Sequence, residues 1–374
     1  MEFLIESLEI EQQRHQVVEK FGRTKDAFAL QGFVPAPHVP RLKETLEKRF
    51  GGRLVIREHE THEGPTLLDN PPFFGPFQFL LEFFSIPKSQ ELDPTILFSF
   101  ALAVFYGAML GDAGYGLISL ALAYVIIKKT EANGLLNQVG KIWFYFGIPT
   151  FFFGIVYDEF FGFTHEQLLG TRLYHGLERM ESVQTLLVLT ILLGLATVML
   201  GYFLGFVTEV MERNYKHAVG KLGWIGVLAS GAVLVATLLF QVFGPENLMV
   251  AGAVFGASAL AIVYAEGPLG LIEIPGVAGN ILSYSRIAAV GLSSVIVALI
   301  LNELVLPKPE QGLWLIITLP LFLFGHLFNA VLGMFEGLVQ GSRLNFVEFF
   351  SKFHHGGGEK FAPFKCERKH TMGG

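Results

Sequence analysis

Between Glu273 and Glu303 the chain carries a single charged side chain, Arg286, near the centre of the apolar stretch 268–304. A guanidinium does not lose its proton under any physiological condition, so the charge cannot be shed. At mid-membrane such a group costs roughly 2.5–3.5 kcal/mol on insertion scales. Something has to face it. One possibility is a carboxylate inside the same helical bundle, and the other is a charge brought by a partner along an ion path. The neighbouring residues must decide between them.

The setting for this charge is a bilayer. Only 16% of the 374 residues are charged, while 52% are hydrophobic and 37 are Phe; soluble chains carry about 25% charged residues. Uncharged stretches run 94–111, 113–127, 142–157, 182–208, 222–245, 247–265 and 311–335, besides the segment that holds Arg286. Most approach the length of about 20 residues that crosses about 30 Å of hydrocarbon. The weakest is 142–157, which is short and interrupted by Pro149. Residues 94–127 read either as one long helix or as two short ones broken at Gly111-Asp112.

Positive charge chooses between these. With the break, one side holds Lys128, Lys129, Lys141, Arg213, Lys216, Lys221, Lys352, Lys360, Lys365, Arg368 and Lys369, and the other only Arg172, Arg179 and Lys308. Without it, the bias flips from loop to loop, against the positive-inside rule. The sequence therefore predicts an all-α polytopic membrane protein with eight transmembrane helices over 94–350. Both termini and the tail 351–374 are expected to be cytoplasmic. GxxxG pairs at Gly107/Gly111, Gly201/Gly205, Gly252/Gly256 and Gly333/Gly337 predict close helix packing.

Residues 1–93 are charge-rich. The opening MEFLIESLEIEQQ has acids where a signal peptide needs a basic region, so it is not expected to be one. Apolar Phe3, Leu4, Leu8, Val17, Val18 and Phe21 predict an exposed helix within 3–25, with a poor heptad. A strand over 28–35, a helix near 38–50 stopped by Gly51-Gly52 and a strand over 53–60 follow, a small α+β lobe too slight to bury a core alone. The Pro- and Phe-rich 65–84 reads as an irregular approach to the membrane.

The net charge of −6 belongs to this part and to the loops, and does not point to nucleic acid. The single cysteine, Cys366, rules out an internal disulfide. His354, His355, Cys366 and His370 lack the paired spacing of a structural zinc site and read as a solvated tail. No phosphate loop, nucleophile triad or metal-hydrolase motif occurs, so no cofactor is expected.

The last apolar segment carries polar or small residues at steps of 3, 4, 3, 4 and 3: His326, Asn329, Gly333, Glu336, Gln340 and Arg343. That spacing predicts one helix face. The segment before it offers Glu273, Asn280 and Ser283 on a similar face leading to Arg286. Small residues surround that arginine: Gly276, Gly279, Ala288, Ala289, Ser293 and Ser294 leave room for another helix. If helical throughout, 268–304 is about 55 Å long, well beyond about 30 Å. The last segment has the same excess, so a steeply tilted antiparallel pair is expected. The stripe is either hydrogen-bonded glue between helices or the lining of a proton or ion path.

Three blocks carry a resemblance: ILSYSRIAAVGLSS (281–294), GAMLGDAGYGL (107–117) and GSRLNFVEFFSKFHHGGGEKFAPF (341–364). They resemble the signatures of the membrane subunit of rotary V/A-type ATPases, called a in eukaryotes and I in archaea and bacteria. The resemblance implies a static, non-catalytic ion-channel subunit with two half-channels for H⁺ or Na⁺. It implies a prokaryotic cell membrane as the location. A rotating ring of proteolipid c-type subunits, each with an acidic residue, would lie against 268–304 and 311–350. ATP chemistry would lie on other subunits. Arg286 matches the essential Arg of the LSY-x-R block and Arg343 the second Arg; Gln340 stands where eukaryotic members usually have His and prokaryotic ones Gln. Glu336, Glu273, Asn280, Ser283, Asn329 and His326 join the ion-translocation set mainly on helical spacing. Family members carry a large N-terminal cytoplasmic arm that binds peripheral and central-stalk-associated subunits; residues 1–93 resemble only its last part. The rival expectations are a self-contained secondary transporter with an anionic substrate site at Arg286, and a purely structural anchor.

Overall fold

The computed structural model describes residues 2–364, apart from Lys20, Glu60, His62, Glu63, Gln90, Ala132, Asn133, Arg172, Leu173 and His355. The loop charge Arg172 and the tail residues His355, Lys365, Cys366, Arg368, Lys369 and His370 singled out above lie outside the described set. The chain forms two compact units.

The first unit comprises 1–69, 86–90 and 356–374. Helix α1 (Glu2–Glu19) leads into an antiparallel hairpin of β1 (Gly22–Arg23) and β2 (Phe28–Ala29), paired Gly22 to Ala29 and Arg23 to Phe28. Helix α2 (Val39–Phe50) starts with proline in its first turn, where no N–H is missed, and stops at Gly51, whose φ is 56°. The second expected strand forms no ladder among the described residues: Gly51–Arg53 is a 3₁₀ turn, and residues 54–59 join no sheet. An extended segment without a partner leaves its backbone groups to water and is not a strand. Thr66 pairs with Lys360 in an isolated bridge, and its hydroxyl donates to the Pro87 carbonyl at 2.7 Å.

The second unit comprises 70–85 and 91–355. Its first element corrects the sequence reading. The Phe-rich approach is helix α3 (Gly75–Phe84), because Phe77 and Leu81, one turn apart, are both buried. Helix α4 (Thr95–Leu110) ends at Gly111, in the left-handed region with φ 32°, and Asp112 caps α5 (Ala113–Lys129) by accepting from the Tyr115 N–H at 2.9 Å. Helix α6 (Leu135–Tyr157) is continuous across Pro149. A Cβ on Gly116 would meet Phe151, one on Gly147 would meet Leu120, and one on Gly140 would meet Ile126. Hence α5 and α6 are antiparallel. Gly107 meets Pro149 and Gly111 meets Tyr157, so α4 runs alongside α6 in the same direction. The chain therefore reverses at Gly111-Asp112.

A short α7 (His165–Leu169) precedes α8 (Val183–Met211), α9 (Tyr215–Phe240) and α10 (Glu246–Glu266). The stretch holding Arg286 opens with a 3₁₀ turn, Pro268–Glu273, and continues as α11 (Ile274–Leu282) and α12 (Ser285–Val305). Pro275 sits in the first turn of α11, where it breaks nothing. The last helix is α13 (Leu315–Arg343), followed directly by a π-turn, Leu344–Phe349.

Among the described residues six helical segments are long and apolar enough to cross a membrane: Leu135–Tyr157, Val183–Met211, Tyr215–Phe240, Glu246–Glu266, Pro268–Val305 and Gly312–Lys352. The chain is an integral membrane protein. Helices α4 and α5, with 16 and 17 residues, are shorter. Three of the four GxxxG pairs are used. Gly107/Gly111 admit α6, Gly201/Gly205 admit the backbone of Phe349 and Lys352, and Gly333/Gly337 admit Leu110 and Tyr106 of α4. The fourth is not. A Cβ on Gly252 or Gly256 would meet nothing within 4 Å, because α10 packs on α9 through Ser258, Ala261, Ile262 and Ala265 instead.

Candidate functional site

Helices α12 and α13 pack antiparallel, bringing Asn302 opposite His326, Ser294 opposite Asn329, and Arg286 opposite Glu348. The two ends of this pair differ in their chemistry.

At the Asn302 end every donor finds an acceptor. Asn302 Nδ2 donates to the Phe161 carbonyl at 2.8 Å, which leaves its Oδ1 to accept from His326 Nε2 at 3.0 Å. The imidazole thus carries its proton on Nε2, and Nδ1 accepts from the Tyr115 hydroxyl at 2.8 Å. That hydroxyl accepts in turn from Asn329 Nδ2 at 3.2 Å, which also donates to the Ser294 carbonyl at 2.9 Å. The network is closed and ties α5, α12 and α13 together.

At the Arg286 end both helices leave α geometry. The backbone N–H groups of Tyr284, Arg286 and Ile287 bond three residues back, to Ile281, Ser283 and Tyr284. These 3₁₀ bonds over-wind the junction of α11 and α12. On the facing side the π-turn after Arg343 under-winds. Such irregular turns inside helices recur at functional positions. Their charges meet here: Glu348 Oε1 is 3.8 Å from Arg286 Nη1 and 3.9 Å from Arg343 Nε. The Glu348 side chain is 2% exposed, Arg286 31% and Arg343 52%. Arg286 Nη1, Gln340 Oε1, Asn345 Oδ1 and Glu348 Oε2 are buried, and none has a hydrogen-bond partner. Buried polar atoms are nearly always satisfied, so these four set the Arg286 end apart from the closed network at the Asn302 end.

A second charged cluster lies where α4, α5 and α6 meet. Arg179 forms a buried ion pair with Glu159, its Nε donating to Oε1 at 2.8 Å and its Nη2 to Oε2. It also donates to the carbonyls of Met109 at 3.1 Å and Gly111 at 3.1 Å, at the C-terminal end of α4. A cation there is favoured by the partial negative charge of the helix end. Asp112 accepts from the Gly162 N–H at 3.0 Å and so pins the loop after α6.

Residues 7–184 match the V-type ATPase 116kDa subunit family. Over 98% of its length the chain is 32% identical to the A-type ATP synthase subunit I of Methanocaldococcus jannaschii. The chain belongs to this family. It is also 28% identical, over 98% of its length, to the A-type ATP synthase subunit I of Methanothermobacter thermautotrophicus. Against the V-type ATP synthase subunit I of Borreliella burgdorferi it is 26% identical over 92% of its length. The alignments cover 59%, 56% and 61% of those relatives, so the chain spans less than two thirds of each.

In this member of the V-type ATPase 116kDa subunit family the predicted stripe divides. His326, Asn329 and Gly333 are buried, Gln340 is half-buried, and Glu336 and Arg343 are exposed. The cause is helical arithmetic. Steps alternating 3 and 4 average 3.4 residues against 3.6 per turn, so the row drifts about 100° around α13 from His326 to Arg343. On the partner segment Asn280 and Ser283 are half-buried and Glu273 is exposed. Glu348 escaped the spacing argument altogether, since five residues beyond Arg343 lies about 140° away on an α-helix. Its signal was a lone acid in an apolar segment. Arg179 reads in the sequence as a loop charge; only packing shows it buried against Glu159.

Proposed function

We propose that the chain is the static ion-channel subunit of a rotary V/A-type ATPase, coupling H⁺ or Na⁺ flow to the turning of a ring of proteolipid c-type subunits. The observation that carries the reading is the charge count around Glu348: two arginines share one buried acid, neither within hydrogen-bond range of it. Glu348 can offset one of the two guanidinium charges, which leaves the other uncompensated by it and partly exposed. The α11 face leading to it is bare, since a Cβ on Gly276 or Gly279 would meet nothing within 4 Å. A helix bearing a carboxylate fits that chemistry.

A carboxylate beside Arg286 is favoured in its ionised form, so an arriving acid releases its proton there and regains one after moving past. Arg286 itself neither accepts nor releases the proton, which keeps the two half-channels apart. Glu336, Gln340 and Arg343 on α13, with Glu273, Asn280 and Ser283 on the partner segment, line one aqueous path. His326 and Asn329 form the closed hydrogen-bonded wall beyond the arginine. In this reading α4 and α5 complete eight spans, the last two tilt along the ring, and both termini are cytoplasmic. Residues 1–93 belong to the arm that meets the stalk subunits.

The test is Arg286→Ala in the assembled complex in membrane vesicles. ATP-driven ion uptake is expected to vanish while the complex still co-purifies; normal uptake overturns the reading. Gln340→Ala should lower uptake only partly, and Glu336→Gln should change its dependence on pH. A purified chain that carries an anionic solute across liposomes without partners would point instead to a self-contained transporter.

A further inference from the structure

We infer that Glu348 is a positioning residue: its one carboxylate, carried into place by the π-turn, holds the Arg286 and Arg343 guanidinium groups as a pair and leaves both unlocked. The inference rests on the ion-path reading above.

The geometry supports each part. On a regular α-helix, Glu348 would face about 140° away from Arg343. A turn closed from i to i+5 brings residues five apart into line, and Leu344–Phe349 is such a turn. It lets Leu344, Phe349 and Phe350 stay in the core while Glu348 meets the arginines. The carboxylate is nearly equidistant from both, 3.8 Å and 3.9 Å. A charge-assisted hydrogen bond would close to about 2.7–2.9 Å and capture one arginine. At the observed separation neither is captured, and the buried carboxylate offsets one of the two guanidinium charges. Ser283 on the α11 to α12 junction faces the same carboxylate, Tyr284 lies beside it, and Lys352 lies beyond the π-turn within its electrostatic reach. Lys221 and Glu273 lie within the electrostatic reach of that lysine, and Glu348 is the acid that Arg286 and Arg343 share.

Removing that charge without changing its shape leaves two uncompensated arginines facing an incoming carboxylate. They hold it ionised to lower pH, so reprotonation is delayed. The experiment compares Glu348→Gln, Glu348→Asp, Arg286→Ala and the double variant R343Q/E348Q in the assembled complex. ATP-driven ion uptake is followed across pH, with co-purification as the assembly control. The pH optimum of E348Q is expected to fall by about one unit. E348D should keep the original optimum, and the double variant, which restores a single uncompensated guanidinium charge, should move back toward it. An unchanged optimum and rate in E348Q overturns the inference, as does an equal change in E348Q and E348D, which would make shape the issue rather than charge. If E348Q does not assemble, assembly regained in the double variant supports the inference, and loss in both overturns it. Normal uptake in R286A overturns the ion-path reading itself; loss in R286A beside a normal E348Q overturns only the role of Glu348.

Discussion

Arg286 is attracted to an acid of its own chain without being bonded to it, and that distinction governs what the residue can do. Its Nη1 lies 3.8 Å from Glu348 and has no hydrogen-bond partner. Lysine is no substitute, because an ammonium desolvated in this setting can lose its proton and offers a single point of charge. Arg286→Lys is therefore expected to lose ATP-driven ion uptake as Arg286→Ala does, measured by a pH- or Na⁺-sensitive dye in vesicles. The opposite situation holds at His326, where every polar atom is spoken for. Tyr115→Phe strips the donor from the buried His326 Nδ1 and the acceptor from Asn329. It should lower stability by about 1–3 kcal/mol, read as a drop in the thermal unfolding midpoint in detergent. An unchanged midpoint would mean that the hydroxyl is dispensable to the packing of α5 on α13. The polar residues near 326 and 343 look alike in the sequence. Their separation into a closed network and an open one follows from helical drift, which shows only when α13 is packed against its neighbours.

At the scale of elements, glycines and one arginine decide which helices meet. Gly154 admits the backbone at Asp112 and Ala113, whereas Gly252 and Gly256 face open space. Gly154→Val is expected to abolish folding or lower the unfolding midpoint sharply, by the mechanism of overpacking against rigid backbone. The paired change G252V/G256V should leave the midpoint of the isolated chain within the range of ordinary surface substitutions. Each is a glycine within an apolar helix, so the contrast tests whether the open face of α10 is truly unused in the chain. Arg179 is the second device. It joins Glu159 to the C-terminal carbonyls of α4, and Arg179→Ala leaves a buried carboxylate and those carbonyls without it. The expected cost is about 3–5 kcal/mol, again by thermal unfolding. Recovery in R179A/E159Q toward the native midpoint would identify the stranded charge as the cause. The turn at Gly111-Asp112 was legible from charge placement, since positive loops on one side demanded a reversal. The arginine that secures the turn was not, because its partners lie 20 and about 70 residues away in sequence.

For the whole molecule, the question is which loops share a side. Replacing the native Cys366 by Ser and introducing single cysteines tests it. Cysteines at Lys129 and Lys216 should label from the same face of sealed vesicles, and cysteines at His175 and Lys308 from the opposite one. Labelling of all four from one face would remove the eight-span arrangement. Composition and the spacing of charges by themselves determined that this chain is a helical membrane protein with an unsheddable cation in its penultimate apolar segment. They could do so because the penalty for charge in hydrocarbon acts residue by residue, wherever the chain goes. Which acid shares that cation, which half of the polar stripe is sealed, and which glycines carry a neighbour were decided by tertiary structure alone. These depend on helical phase, and a π-turn or a 3₁₀ kink resets that phase only when distant helices pack against one another.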